Sequence, residues 1–277
     1  MTIKRVLAIH DLCSFGRCSL TAAMPVISAL GSQVNPFPTA LYSNNLTYGE
    51  FYNTDLTSHM NPMMDQWEKL NLHFDAIYSG FLANAAQTAL VRDAIRRFAK
   101  DGQLVVVDPA MADDGKLYVV FDQTMVEEMR KLVAEATLIT PNYTEACLLT
   151  GTTWLDRTPT EREIQDLCQK LLDLGPKQVI ITSVPGKPDE IQVVSQSAGE
   201  VGYHSYVVKR IPFGTCGTGD VFTSVVTGCI LKGKSLEESA KIAADFLEVV
   251  IQSTLDSGKD PREGVQLEDK LPLLLKL

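Results

Sequence analysis

Short unbroken apolar runs alternate with longer segments of helical period along most of this 277-residue chain. Runs at 6–9, 76–79, 104–107, 138–140 and 178–182 have strand length, and Leu104-Val105-Val106-Val107 is the purest of them. Between them the periodicity predicts helices over 19–30, 84–100 and 122–134, and a short one ending near 149. The run at 178–182 follows a helix whose start is marked by Thr160 with Glu163 three residues on, a capping box. Such alternation predicts an α/β fold with a mostly parallel central sheet and helices on both faces. Two runs at 191–195 and 201–208, joined by Gln-Ser-Ala-Gly-Glu, predict an antiparallel hairpin at the sheet edge. Two more helices, 220–231 and 235–252, follow. No repeat or linker-like break divides the sequence, so a single domain over 1–277 is expected.

Hydrophobic residues make up 45% and charged residues 21%, an ordinary globular balance, and the net charge is −9. That charge argues against nucleic acid or an anionic membrane as the main partner. A site for a polyanion must then be built locally, from backbone N–H groups and a metal ion. The start of the chain reads as the first strand rather than a signal peptide, and no stretch approaches the ~20 apolar residues of a membrane span. Six cysteines show neither a CxxC pair nor zinc-like spacing, which suits reduced thiols in the cytoplasm.

Gly217-Thr218-Gly219-Asp220, followed at once by Val221-Phe222, carries the strongest chemical signal. Two glycines around a small hydroxyl residue leave successive N–H groups bare at a helix start, where unpaired donors and the helix dipole favour a phosphoryl group. Asp220 beside that anion site would accept a proton from an attacking alcohol. Cys216 immediately precedes the motif and reads either as a thiol near both substrate and a helix N-terminus, a setting that enriches thiolate, or as a small residue packed in a tight turn.

In an open parallel sheet, ligands bind at the carboxyl ends of the strands. Asp11, Asp108, Asp113, Asn142, Glu145, Thr182 and Ser183 all fall just after the expected strands. Phosphoryl transfer needs hard oxygen ligands for Mg²⁺, a cradle for the transferred group and an oriented nucleophile. Asp108, Asp113 and Glu145 are candidates for holding Mg²⁺, directly or through water. Asn142 with Glu145 also reads as a helix-capping pair. A second phosphate motif, Gly228 to Ser235, matches GxxxxGK[ST] but is set aside. Its Cys229-Ile230-Leu231 belongs in a core, Gly233 suits a helix C-cap, and the acidic strand precedes it rather than follows.

Taken in order, these blocks give the chain a resemblance to the ribokinase-like superfamily and, within it, to the pyridoxal/pyridoxamine kinases of vitamin B6 salvage. The resemblance spans nearly the whole chain. It rests on Ala8-Ile-His-Asp-Leu-Cys-Ser-Phe-Gly-Arg17, Ser43-Asn44-Asn45, Tyr78-Ser-Gly-Phe81, Val107-Asp-Pro-Ala-Met-Ala-Asp113, Ile139-Thr-Pro-Asn-Tyr-Thr-Glu-Ala146 and Gly217-Thr-Gly-Asp220. It implies that Asp220 is the catalytic base and that the amides of Gly217, Thr218 and Gly219 form the anion hole. Asp108, Asp113 and Glu145 would join the Mg²⁺ and phosphate network, and Asn142, Thr182 and Ser183 would contact ATP. Asp11, Asn44, Asn45, Phe81 and Cys216 would surround the vitamer ring. Two departures from the family pattern are Asn45-Leu46, where it has His-Thr, and Ala112, where it often has glycine.

The resemblance implies ATP-dependent phosphorylation of the 5′-hydroxymethyl group of a B6 vitamer, with ATP as donor and Mg²⁺ as its metal. A monovalent cation beside ATP and a homodimer are further implications. The alternatives are a hydroxymethylpyrimidine kinase of the same superfamily and, from a different class, a non-catalytic ligand-binding protein on this fold. A sugar substrate is disfavoured because Phe37, Phe81 and the asparagines suit a flat ring.

Overall fold

A computed structural model describes residues 2–277. Nine strands form one sheet in the order β11-β10-β9-β8-β5-β4-β1-β2-β3. Chain order begins with β1 (Arg5–Phe15), α1 (Ser19–Ala29), β2 (Gln33–Asn44), β3 (Asn53–Asp55), α2 (Thr57–Lys69), β4 (Ala76–Ser79), α3 (Ala86–Phe98) and β5 (Leu104–Val107). A small hairpin, β6 (Ala112–Asp113) and β7 (Lys116–Leu117), leads to α4 (Gln123–Val133), β8 (Leu138–Ile139), α5 (Tyr143–Thr150) and α6 (Glu161–Asp173). The chain then runs through β9 (Gln178–Pro185), β10 (Glu190–Ser197), β11 (His204–Lys209), α7 (Thr218–Leu231), α8 (Leu236–Asp256) and α9 (Leu271–Leu274).

From β9 across to β2 all neighbours are parallel, while β10, β11 and β3 add antiparallel edges. Alternate residues of the inner strands feed two separate cores. Leu7, Ile9, Ile77, Val105, Val107 and Ile139 pack under α2–α6, whereas Val6, Ala76, Tyr78, Val106 and Leu138 pack under α1, α7, α8 and α9. This two-sided burial is why these strands read as unbroken apolar runs. Among the described residues no helix is long and apolar enough to cross a membrane.

The expected mostly parallel sheet, its helices on both faces and the edge hairpin are all present. Besides the short β3, β6, β7 and α9, two longer elements went unread in the sequence. β2 contains Pro36 and Pro38, which argue against an inner strand. They are tolerated because β2 pairs with β3 only over Ala40–Tyr42, leaving the prolines with β1 alone as a partner. α2 carries Pro62 within it, a residue that usually ends a helix.

The chain passes from β1 to β2 and β3 on one side, then returns to β4 on the other side of β1. That reversal is a topological switch point, where α/β sheets open a crevice for ligands. β1 also runs further than the four residues expected of it. Its pairing with β4 ends at Ile9, and between His10 and Leu12 its register with β2 shifts, so Thr39 and Ala40 together oppose Asp11. Such a bulge re-aims side chains. His10 and Asp11 thereby lie past the end of the β4 pairing, His10 buried and Asp11 lining the crevice.

Candidate active site

A cavity of about 1130 Å³ opens at these strand ends, lined by Asp11, Phe81, Asp108, Thr182, Ser183 and the Gly217–Asp220 turn, among others. Its size exceeds what a single small ligand needs. Two helices begin on its floor, α1 at Ser19 and α7 at Thr218. The N-cap of α7 is Gly217 at φ 87°, in the left-handed region, and a Cβ there would overlap the Arg17 carbonyl oxygen. Gly217 is therefore required by the close approach of two backbones. Gly219 is different: a Cβ there would stand 3.5 Å from Asp108 Oδ2, so its missing side chain keeps open the space between the helix start and that carboxylate.

Asp220 lies in the first turn of α7. Its Oδ2 accepts the Ser19 backbone N–H at 2.7 Å, while Oδ1 faces His10 Nδ1 at 3.6 Å. Asp11, 4% exposed, has its Oδ1 without a protein hydrogen bond. Burial pushes its carboxyl up to about 7, with Asp220 adding to the rise and the Ser19 side chain opposing it. Asp108 is driven well above the usual carboxylate range by burial and by the charges of Glu145 and Asp220. The Thr223 hydroxyl donates to it at 3.4 Å and shares a 2.8 Å bond with Thr140.

Glu145 and Asn142 turn out to be a capping pair that also lines the cavity. Asn142 Oδ1 accepts the Glu145 N–H at 3.0 Å, and Glu145 Oε2 accepts the Asn142 N–H at 2.9 Å. Glu145 Oε1 takes the Met111 and Ala112 amides, which ties α5 to the loop after β5. Burial pushes the Glu145 carboxyl up to about 8 against these donors. Asn142 Nδ2 is spent on the Ala112 carbonyl at 2.7 Å. Asp113 sits on the β6–β7 hairpin at the exposed rim, its carboxyl raised by burial and by Asp114.

Thr182 and Ser183 lie within β9, which runs on past the end expected of it, and Ser183 has φ 56°. Phe81 lines the cavity in a tilted cluster with Phe121 at 5.4 Å and beside Tyr42 at 6.3 Å. Cys216 also lines it, with Cys18 close by, whose hydrogen bond draws the Cys216 thiol below its usual value.

Two expectations, Asn44 and Phe37, need correcting. Asn44 does not line the cavity; its Nδ2 donates to the Glu50 carbonyl at 2.8 Å, closing the loop between β2 and β3. Asn45 does reach the cavity, but its Nδ2 holds the Arg262 carbonyl at 2.7 Å and its Oδ1 caps Thr47. Phe37 is wholly buried against Trp67 and offers nothing to a ring. The set-aside motif at 228–235 is no phosphate loop. Its first residues lie inside α7, and Lys234 pairs with Glu238 at 2.6 Å.

Sequence reasoning missed two groups. His10, wholly buried beside Asp220, carried no signal beyond its place one residue before Asp11. Lys187 in the β9–β10 turn and Lys209 and Arg210 at the end of the edge hairpin line the cavity, so amides and metal are not the sole counter-charges for a polyanion. Lys209-Arg210 at the end of the predicted hairpin was the readable sign of them.

The residue types fit a divalent cation: Asp108 is a buried carboxylate whose proton affinity the Glu145 charge raises, Glu145 is raised in turn by burial and by Asp113, and Gly219 leaves the space beside Asp108 open. Of the two, Asp108 has the greater free acceptor capacity, because Glu145 is engaged by three backbone amides.

Residues 26–264 match the phosphomethylpyrimidine kinase family. The chain belongs to this family. A member from Bacteroides thetaiotaomicron, provisionally named a phosphomethylpyrimidine kinase and crystallised with pyridoxal, is 39% identical with a TM-score of 0.95, covering 99% of this chain and 96% of that one. Pyridoxal kinase from Lactobacillus plantarum is 29% identical with a TM-score of 0.91, covering 99% and 98%. Pyridoxal kinase from Arabidopsis thaliana is 28% identical over 273 residues, 93% of this chain and 85% of its own. The family includes ribokinase-like pyridoxal kinases, as the sequence blocks implied.

Proposed function

We infer that this protein is a pyridoxal kinase, transferring the γ-phosphoryl group of ATP to the 5′-hydroxymethyl group of a B6 vitamer. The observation that carries this reading is the position of Asp220. Its carboxylate stands at the start of α7 in the one cavity that Asp11, Phe81, Asp108, Thr182 and Ser183 also line.

The vitamer ring lies between Asp11, Phe81 and Cys216. Asp11, with a carboxyl near neutrality, exchanges a hydrogen bond with the ring nitrogen or the phenolic oxygen. ATP lies toward β9, its phosphates near Thr182, Ser183 and the basic groups of the edge hairpin. Asp220 Oδ1, the oxygen not held by Ser19, accepts the hydrogen of the attacking hydroxyl. An aspartate is too weak a base to strip a free alcohol; it orients the nucleophile and takes the proton late, as the P–O bond forms. The amides of Thr218 and Gly219 donate to the oxygens of the transferred group. Asp108, positioned by Thr223 and by Glu145, would hold Mg²⁺ with Asp113 at the rim; the ion supplies charge neutralisation to the phosphates when bound. A homodimer working in the cytoplasm, with its six cysteines unpaired, belongs to the same reading.

Hydroxymethylpyrimidine is a second substrate to weigh, because the matched family is the phosphomethylpyrimidine kinases. A coupled ADP-release assay across pyridoxal, pyridoxine, pyridoxamine and hydroxymethylpyrimidine decides. Vitamer-dependent ADP release is expected; turnover with hydroxymethylpyrimidine alone would move the assignment, and none with any of the four would end the kinase reading. Light scattering tests the dimer.

A further inference from the structure

We infer that His10 is a positioning residue for the catalytic base, its Nδ1–H directed at Asp220 Oδ1 so that this oxygen stays turned to the substrate hydroxyl. The inference rests on the reading of Asp220 as the base.

His10 is wholly buried, and neither ring nitrogen has a protein hydrogen bond. Burying two polar atoms unpaired is costly, and an aliphatic side chain would fill the same space without that cost. The ring is also held in one orientation. It meets Tyr78 edge-on, with centroids 4.3 Å apart at 82°, and Gly80 makes room for it, since a Cβ at Gly80 would overlap His10 Nδ1 and Cε1. Thus β1 and the residue following β4 together fix an imidazole whose Nδ1 lies 3.6 Å from Asp220 Oδ1.

The two carboxylate oxygens then divide their tasks. Oδ2 is anchored by Ser19, and Oδ1 must do the chemistry while remaining free to move. A donor just beyond bonding distance suits that oxygen, because catalytic contacts often tighten only when substrate is bound. As negative charge is used up on Oδ1 during proton transfer, the His10 contact lengthens again. His10 itself neither gains nor loses a proton in this scheme.

The test is a double-mutant cycle of His10→Leu and Asp220→Asn in the ADP-release assay with pyridoxal and ATP, on variants whose thermal melts show folded protein. His10→Leu is expected to lower kcat about tenfold, to leave KM for both substrates within about twofold, and to cost little more in the Asp220→Asn background. His10→Asn, which keeps an N–H near the place of Nδ1, is expected to recover most of that loss. An unchanged kcat in His10→Leu, full multiplicative loss in the double variant, or no recovery in His10→Asn would each overturn the role. Should His10→Leu not fold, ¹⁵N NMR of the wild-type imidazole decides: a proton on Nδ1 supports the proposal, and a proton on Nε2 alone overturns it. Near-normal turnover in Asp220→Asn would instead overturn the base assignment, whereas a large loss there with an indifferent His10→Leu removes only the part given to His10.

Discussion

The backbone N–H of Ser19 donates to Asp220 Oδ2 at 2.7 Å, joining the first turns of two helices that lie 201 positions apart in sequence. Ser19 adopts φ 50° to make the contact, a left-handed conformation that is uncommon outside glycine. One oxygen of the carboxylate is thereby immobilised and the other left for chemistry.

Replacing Asp220 with Asn preserves shape and removes proton acceptance. Turnover should fall about 100-fold or more, while KM for ATP changes little. Steady-state kinetics by ADP release checks this, and a variant retaining roughly a third of wild-type kcat would refute the assignment.

Two glycines of one motif should fail in different ways. Gly217→Ala meets the Arg17 carbonyl and a left-handed φ, so it should lower Tm as well as activity, with a cost of about 1–3 kcal/mol or more. Gly219→Val occupies space open to ligand and should abolish activity with a smaller loss of Tm. Lys234→Ala breaks only a solvent-screened surface ion pair with Glu238 and should leave kinetics near wild type. A dead Lys234→Ala enzyme would revive the phosphate-loop reading of 228–235.

Asp11 gives a pH signature with a definite sign. Its folded pKa, about 7, lies above the ordinary aspartate value of 3.8, so the folded state holds the proton more tightly. The contribution of Asp11 to stability is therefore greatest below pH about 4 and is lost as pH rises toward 7. Asp11→Asn, permanently neutral, should raise Tm of the ligand-free protein by several degrees at pH 8 and make little difference at pH 4. The same variant should raise KM for the vitamer much more than KM for ATP. Melts across pH with parallel kinetics test both; equal effects on the two KM values would mean that Asp11 only shapes the strand.

Cys216 lines the cavity with a thiol drawn below its usual value by Cys18, although burial and the Asp220 charge oppose this. A thiolate there adds reversibly to the aldehyde of pyridoxal and has no such reaction with pyridoxine or pyridoxamine. Cys216→Ala should weaken pyridoxal selectively. Parallel loss for all three vitamers would reduce Cys216 to a packing role.

Strand and helix order was readable because two-sided burial writes itself into unbroken apolar runs such as Leu104–Val107. β2 escaped because its prolines are excused by the shortness of β3, a fact of tertiary pairing that no local pattern contains. At the site, the grouping of Asp11, Asp108, Thr182 and the Gly217–Asp220 turn was legible from strand order, and all of them line one cavity. Side chains whose hydrogen bonds are consumed by neighbours were not. Asn44 carries the same amide as Asn45, and only the path of the loop turns one toward Glu50 and the other toward Arg262. His10 stayed invisible because its meaning depends on Asp220, far away in sequence.

Every strand of the main sheet lies between Arg5 and Lys209, whereas the anion hole starts at Gly217 and leans on Arg17, whose N–H in turn donates to the Glu263 carbonyl at 2.9 Å. A chain made as far as the end of β11 thus has its whole sheet, with Asp11, Asp108 and Thr182 on it, but neither the Gly217–Gly219 turn nor Asp220. The cavity is complete only with α7, α8 and the 261–264 turn, the last-made elements, packed against the first-made part of the polypeptide.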